Sequence, residues 1–271
     1  MQETLGFIGG GNMARSLVGG LVARGVGPQQ IIVSDPVPAQ LASLEKQFGI
    51  RTTQDNRAAA GAADVVLLAV KPQDLRAVAT DLAPALASRR PLIISIAAGI
   101  LASDLERWTG LPVVRAMPNR PALQNCGATG LYATPAVSGA ARELAASILG
   151  AVGITVWVDA EAQMDAVTAV SGSGPAYFFL LMEMIEAAGI DLGLKPEVSR
   201  QLAVATAYGS GLMARDSVDP PALLREQVTS KGGTTEAALK HLEAREVRAI
   251  FSQALAAAAR RSAELAAQLG K

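Results

Sequence analysis

One short segment constrains this chain more than any other: Gly9-Gly10-Gly11-Asn12-Met13-Ala14, directly after the apolar run Leu5-Gly6-Phe7-Ile8. It fits G-x-G-x-x-G/A in the strand, turn and helix setting that gives the pattern physical content. Gly9 permits a tight turn, Gly11 lets backbone approach a diphosphate, and Ala14 lets the helix pack closely on the strand. The free N–H groups and positive end of that helix then suit an anion. A glycine-rich turn without a ligand looks the same locally, so the motif takes its weight from the rest of the chain.

Downstream of the motif, strands and helices alternate. Helical spacing runs from Asn12 to Arg24, Ile31-Ile32-Val33 reads as a second strand and Ala39 to Phe48 as a second helix. Val65 to Val70 and Leu92 to Ala97 are unbroken apolar runs, the pattern of strands buried on both faces. Weaker strands are predicted at Pro112–Arg115, Thr129–Tyr132 and Thr155–Val158. Strands separated by helices imply crossover units and a parallel sheet. Past Asp159 no convincing strand appears; Ala- and Leu-rich helical stretches run to the end, at Ala176–Ala188, Pro196–Ala214, Pro220–Val228, Thr235–Leu242 and Glu246–Leu269. The predicted fold class is α/β, with one domain over residues 1–159 and an all-helical one over 160–271.

Composition narrows the chemistry. The chain has one histidine, His241, and one cysteine, Cys126. Two such residues cannot build a zinc site needing about four ligands, so no metal is expected. A Ser-His-Asp or Cys-His mechanism would have to run through His241 alone, and neither residue has neighbours that recommend it. With 24 basic and 24 acidic residues there is no basic excess for nucleic acid. The longest uncharged apolar stretch, 166–182, is broken by Gly172, Gly174 and Pro175 and falls short of the roughly 20 residues of a membrane span. No targeting segment is evident and no cysteine pair exists, so a cytoplasmic setting is expected. A bound cofactor is expected to carry the chemistry.

Candidate site residues cluster at strand ends. Asp35 closes the second strand, where an acid bonds ribose hydroxyls and favours NAD; Ser34 beside it offers a hydroxyl to a phosphate, and Ser34-Asp35-Pro36 is also good turn chemistry. Lys71-Pro72, Ala97-Ala98-Gly99 and Met117-Pro118-Asn119 each come directly after a strand, at the edge where open α/β sheets bind ligands. Two insertions interrupt the helical part. Ser171-Gly172-Ser173-Gly174-Pro175 presents N–H groups and the Ser173 hydroxyl ahead of a helix, or is an interhelix turn. Ser230-Lys231-Gly232-Gly233-Thr234-Thr235 forms an anion cradle at a helix start, and a capped helix start is made the same way.

Taken together, Phe7 to Ala14, Ala69-Val70-Lys71-Pro72-Gln73, Ser95 to Gly99, Arg115 to Asn119, Ser171 to Tyr177 and Ser230 to Thr235 resemble the pyrroline-5-carboxylate reductase family nearly end to end. The last two segments are the specific ones. The resemblance implies an N-terminal Rossmann domain and a helical C-terminal dimerisation domain, in a homodimer or a larger ring of dimers. It implies hydride transfer from NADPH to a cyclic imine carboxylate, giving L-proline, with no nucleic-acid or membrane partner. Carried onto this chain, Gly9, Gly11, Asn12 and Met13 hold the diphosphate, and Ser34, Asp35 and Asn56 meet the adenosine ribose. Ala69, Val70, Lys71 and Pro72 border the adenosine side, with Ala97, Met117 and Asn119 near the nicotinamide. Ser173 lies between ring and substrate, and Ser230, Gly232, Gly233, Thr234 and Thr235 hold the substrate, with the Gly232-Gly233-Thr234 amides on its carboxylate and Thr235 Oγ on its nitrogen. Two departures stand out. Arg120 occupies a position where the family commonly has Thr, and Asp35 raises the prospect of NADH. Hydroxyacid dehydrogenases share the two-domain plan but use a Lys in the helix that here, from Pro175 to Ala188, has none. A non-catalytic nucleotide-binding dimer would not need the Gly-Gly-Thr-Thr segment.

Overall fold

The computed structural model describes residues 2–270. Its first compact unit comprises residues up to Ser173 together with those from Ala258 onward; its second spans Gly174–Ala257. The residues between 160 and Ser173 group with the sheet, and packing is the reason. The short helix and π-helical turn after residue 162 lie on the sheet, where Gly130 has no side chain and leaves room for Val167.

The first unit is built on an eight-stranded sheet in the order β3-β2-β1-β4-β5-β6-β7-β8. The strands are β1 (Leu5–Ile8), β2 (Ile31–Ser34), β3 (Arg51–Thr53), β4 (Val65–Leu68), β5 (Leu92–Ser95), β6 (Val113–Met117), β7 (Gly127–Ala133) and β8 (Gly153–Trp157). The first six are parallel, with Phe7 opposite Val33 on one side and Leu67 on the other. This is the doubly wound order. The crossover helices are α1 (Asn12–Ala23), α2 (Pro38–Phe48), α3 (Asn56–Gly61), α4 (Pro72–Arg89) and α5 (Ala102–Thr109), with α6 (Gly139–Leu149) joining β7 to β8. The sheet is not wholly parallel: β7 runs antiparallel to β6. Only a short 3-10 turn, Arg120–Gln124, separates the two, and a parallel partner needs a longer crossover.

Period-two alternation sends each strand into two cores. Leu5, Phe7, Val65 and Leu67 join a cluster with Leu17, Leu44 and Ile148 of α1, α2 and α6. Ile8, Val66 and Leu68 join the opposite one with Ala59, Leu75, Leu82 and Leu105 of α3, α4 and α5. Burial of a Leu or Phe side chain is worth about 1.5–3 kcal/mol, and both faces are covered, as an all-apolar strand requires. After β8 come α7 (Gln163–Val167) and a π-helical turn, Thr168–Gly172.

The second unit holds α8 (Gly174–Asp191), α9 (Pro196–Asp216), α10 (Pro221–Gln227), α11 (Thr234–Ala244) and the first turns of α12 (Val247–Leu269). Helices α8 and α9 pack at Gly189, and Ser199 Oγ donates to Glu186 O at 2.7 Å. Little else is covered: Gly174, Ser199 and Ala203 are the buried residues of those two helices, and α10 and α11 have none. The last turns of α12 pack in the first unit, where Leu265 and Leu269 meet Gly99.

Candidate active site

The glycine turn after β1 is shaped by its neighbours. Gly9 has φ +103°, and a Cβ there would sit 2.7 Å from Ala69 O. Its N–H donates to Ser34 O at 2.8 Å. Gly11 is the N-cap of α1, with no side-chain cap and nothing within 4 Å of where a Cβ would be. The first-turn amides of Asn12, Met13 and Ala14 thus end in an open cradle, which fits the diphosphate of a dinucleotide.

Asp35 is tied to that cradle. Gly10 N–H donates to its Oδ2 at 2.8 Å and Val37 N–H to its Oδ1 at 2.9 Å. A half-buried carboxylate therefore stands at the end of β2, where ribose hydroxyls are read. Ser34, beside it at the end of β2, is buried, and its Oγ donates to Phe7 O at 3.3 Å. Asn56 opens α3 just past β3, at the same edge, behind an Asp55 cap that accepts from Arg57 N and Ala58 N. Ala69 and Val70 are half-buried after β4, and Lys71 is the exposed N-cap of α4.

At the other end of the same edge lies a cleft of about 560 Å³. Pro72, Gly99, Thr168 and Ser173 line it, together with Arg261 and Ser262 of α12. Sequence reasoning missed the α12 residues. The available signal was a polar interruption, Arg260-Arg261-Ser262, in an alanine-rich helix. Ser262 Oγ donates to Asp165 Oδ1 at 2.7 Å, tying α12 to α7. Ala97 is buried beside the cleft and its neighbour Ala98 lines it. Met117 abuts Gly172 of the π turn. Asn119 is buried, and its side-chain amide is spent on Ser171 O and Ala128 N. Arg120 is exposed.

The second unit holds the remaining candidate residues. Gly232, at φ +74°, and Gly233 lead into α11. Their amides are already engaged: Gly232 N–H donates to Glu236 Oε2 at 2.6 Å, and Gly233 N–H to Ser230 O at 3.0 Å. Gly233 caps α11 without a side chain, so the amides of Thr234 and Thr235 are the ones left for an anion. The Gly232 N–H bond, then Lys240, hold the Glu236 carboxyl below its ordinary range.

Comparison with known proteins agrees in both halves. A family model described as pyrroline-5-carboxylate reductase dimerisation matches residues 161–265. One described as NADP oxidoreductase, coenzyme F420-dependent, matches residues 4–99. A pyrroline-5-carboxylate reductase of Pseudomonas aeruginosa is 54% identical over 269 residues, covering 98% of each chain. The solved structure of a pyrroline-5-carboxylate reductase from Coxiella burnetii superposes with a TM-score of 0.95 at 43% identity, covering 98% of this chain and 99% of that one. A Plasmodium falciparum pyrroline carboxylate reductase with NADP bound gives 0.84 at 29% identity, covering 98% of each. With an uncapped glycine cradle at one helix start, a Thr-Thr helix start in the other unit and a relative of this identity along its whole length, the chain belongs to the pyrroline-5-carboxylate reductase family.

Proposed function

We infer that this chain reduces the C=N bond of 1-pyrroline-5-carboxylate to L-proline, the last step of proline synthesis. The observation that carries the reading is the pair of uncapped helix starts, α1 behind glycines and α11 behind glycines and ahead of two threonines, in a chain of this family. A reduced nicotinamide dinucleotide, when bound, supplies the hydride. The chain's own residues bind, orient and exclude water. The amides of Asn12 and Met13 suit the diphosphate, and the amides of Thr234 and Thr235 suit the one carboxylate of the substrate. Thr235 Oγ is the hydroxyl at hand for the ring nitrogen, and Ser173 stands in the cleft at the nicotinamide end. A protonated imine is already electrophilic, so no histidine is required.

Asp35 supports the use of NADH beside NADPH. Its carboxylate is fixed by two N–H groups, and residues 36–44 contain no Lys or Arg to receive a 2′-phosphate. A homodimer is the minimal assembly, supported by the match to a dimerisation model and the apolar surface of the helical unit; rings of dimers are the larger form. One exposed, unpaired cysteine suits a reducing, cytoplasmic setting.

The test is a spectrophotometric assay with pyrroline-5-carboxylate and either reduced cofactor. Substrate-dependent loss of absorbance, with inhibition by proline, is expected; no loss with either cofactor would overturn the reading.

A further inference from the structure

Ser173 is delivered by the π-helical turn Thr168–Gly172, which closes with Ser173 N–H donating to Thr168 O at 2.8 Å. Such turns break the ordinary i to i+4 pattern and recur at functional sites. Two residues beyond Ser173 stands Pro175, which has no N–H. The carbonyl of Ser171, four positions earlier, therefore lacks the donor that an α-helix would give it.

Asn119 supplies that donor. Its Nδ2 donates to Ser171 O at 3.1 Å, while its Oδ1 accepts from Ala128 N–H of β7 at 2.8 Å. The side chain is 9% exposed. Two residues earlier, Met117 lies against the bare face of Gly172, where a Cβ would come within 2.6 Å of its Cε. The segment Met117-Pro118-Asn119 thus grips two consecutive residues of the turn, immediately ahead of Ser173.

We propose that Asn119 is a positioning residue: by capping the orphaned Ser171 carbonyl and anchoring it to β7, it holds the π turn in the shape that faces Ser173 into the cleft. It acts through Ser173 and not as a ligand of the cofactor. The proposal rests on the reading of Ser173 as a residue of the active cleft.

Asn119→Asp tests it, because the variant keeps an acceptor for Ala128 N–H and loses the donor to Ser171 O. It is compared with Ser173→Ala and with the double variant. The readouts are kcat, KM for pyrroline-5-carboxylate, the Kd of the reduced cofactor by fluorescence titration, and the thermal midpoint. Asn119→Asp is expected to lower kcat by about tenfold or more, since small misplacements have costs of that order. Cofactor Kd should stay within about twofold, and the double variant should be no worse than the poorer single one, as residues acting as one unit require. The proposal is overturned by a kcat within twofold of the parent, by a tenfold weaker cofactor Kd at unchanged kcat, or by losses that multiply in the double variant. A lower thermal midpoint with kcat unchanged would show a structural role alone and also overturn it. If Ser173→Ala is silent, the reading of Ser173 fails and takes this proposal with it; if Ser173→Ala is impaired and Asn119→Asp is not, only the proposal fails. Should Asn119→Asp not fold, Asn119→Ala, which leaves room for water at both partners, is judged by the same outcomes.

Discussion

Asp35 closes β2 with its carboxylate fixed by the N–H groups of Gly10 and Val37. Asp35→Ser removes that fixed negative charge and is expected to raise the preference for NADPH over NADH about tenfold, in kcat/KM with each cofactor; an unchanged preference would contradict the reading. The acid was legible in the sequence, but its two ties were not, because they depend on how β2 returns beside the glycine turn. Gly9 was legible because its left-handed turn is demanded by the motif itself, and the structure adds the obstacle that excludes a side chain, Ala69 O. At Gly232, nothing in the spacing shows that Glu236, one turn on, takes its N–H. The folded pKa of Glu236 is lowered by that bond, so the bond contributes above the ordinary glutamate range and is lost as pH falls through the lowered value. The NMR chemical shift of the Gly232 amide proton should therefore follow pH with a midpoint below the usual glutamate range; a midpoint at or above it would show that the bond does not form in solution.

At the scale of elements, legibility followed burial. Strands β1, β4 and β5 read cleanly because apolar runs leave no alternative in a sheet covered on both faces. Strand β3, Arg51-Thr52-Thr53, carries no apolar signal, being a short and partly exposed edge. The reversal at β7 was missed because strand direction depends on the length of the connection, which propensity does not report. Arg115 marks another junction that only packing reveals. It is buried in β6 and pairs with Glu161 at 3.0 Å, and the same carboxylate oxygen accepts Ala102 N–H at 2.6 Å. Glu161 thus links β6, the start of α5 and the approach to α7. Glu161→Ala leaves a buried cation unpaired and is expected to destabilise by about 3 kcal/mol, read by denaturant unfolding; a change under about 1 kcal/mol, the size of an exposed pair, would contradict the account.

Across the whole molecule, the two halves differ in what they bury. The sheet unit buries both faces of β1 and β4, with Ile154 and Val156 of the edge strand β8 left exposed, whereas the helical unit leaves Phe178, Phe179, Leu180, Met184, Leu202 and Tyr208 half or more exposed. Exposed apolar side chains in this number mark an interaction surface; among the described residues no helix is long and apolar enough to cross a membrane. The dimerisation match covers the same residues. Phe179→Asp is expected to shift the protein towards monomer in light scattering at micromolar concentration; an unchanged mass would place the interface elsewhere. Thr235 is proposed to hold the substrate that accepts the hydride. The most direct measurement is the steady-state oxidation of reduced nicotinamide by pyrroline-5-carboxylate, for the parent chain beside Thr235→Ala. The expected result is turnover by the parent, with a higher KM and a lower kcat in the variant. Equal kinetics for the two chains would contradict it.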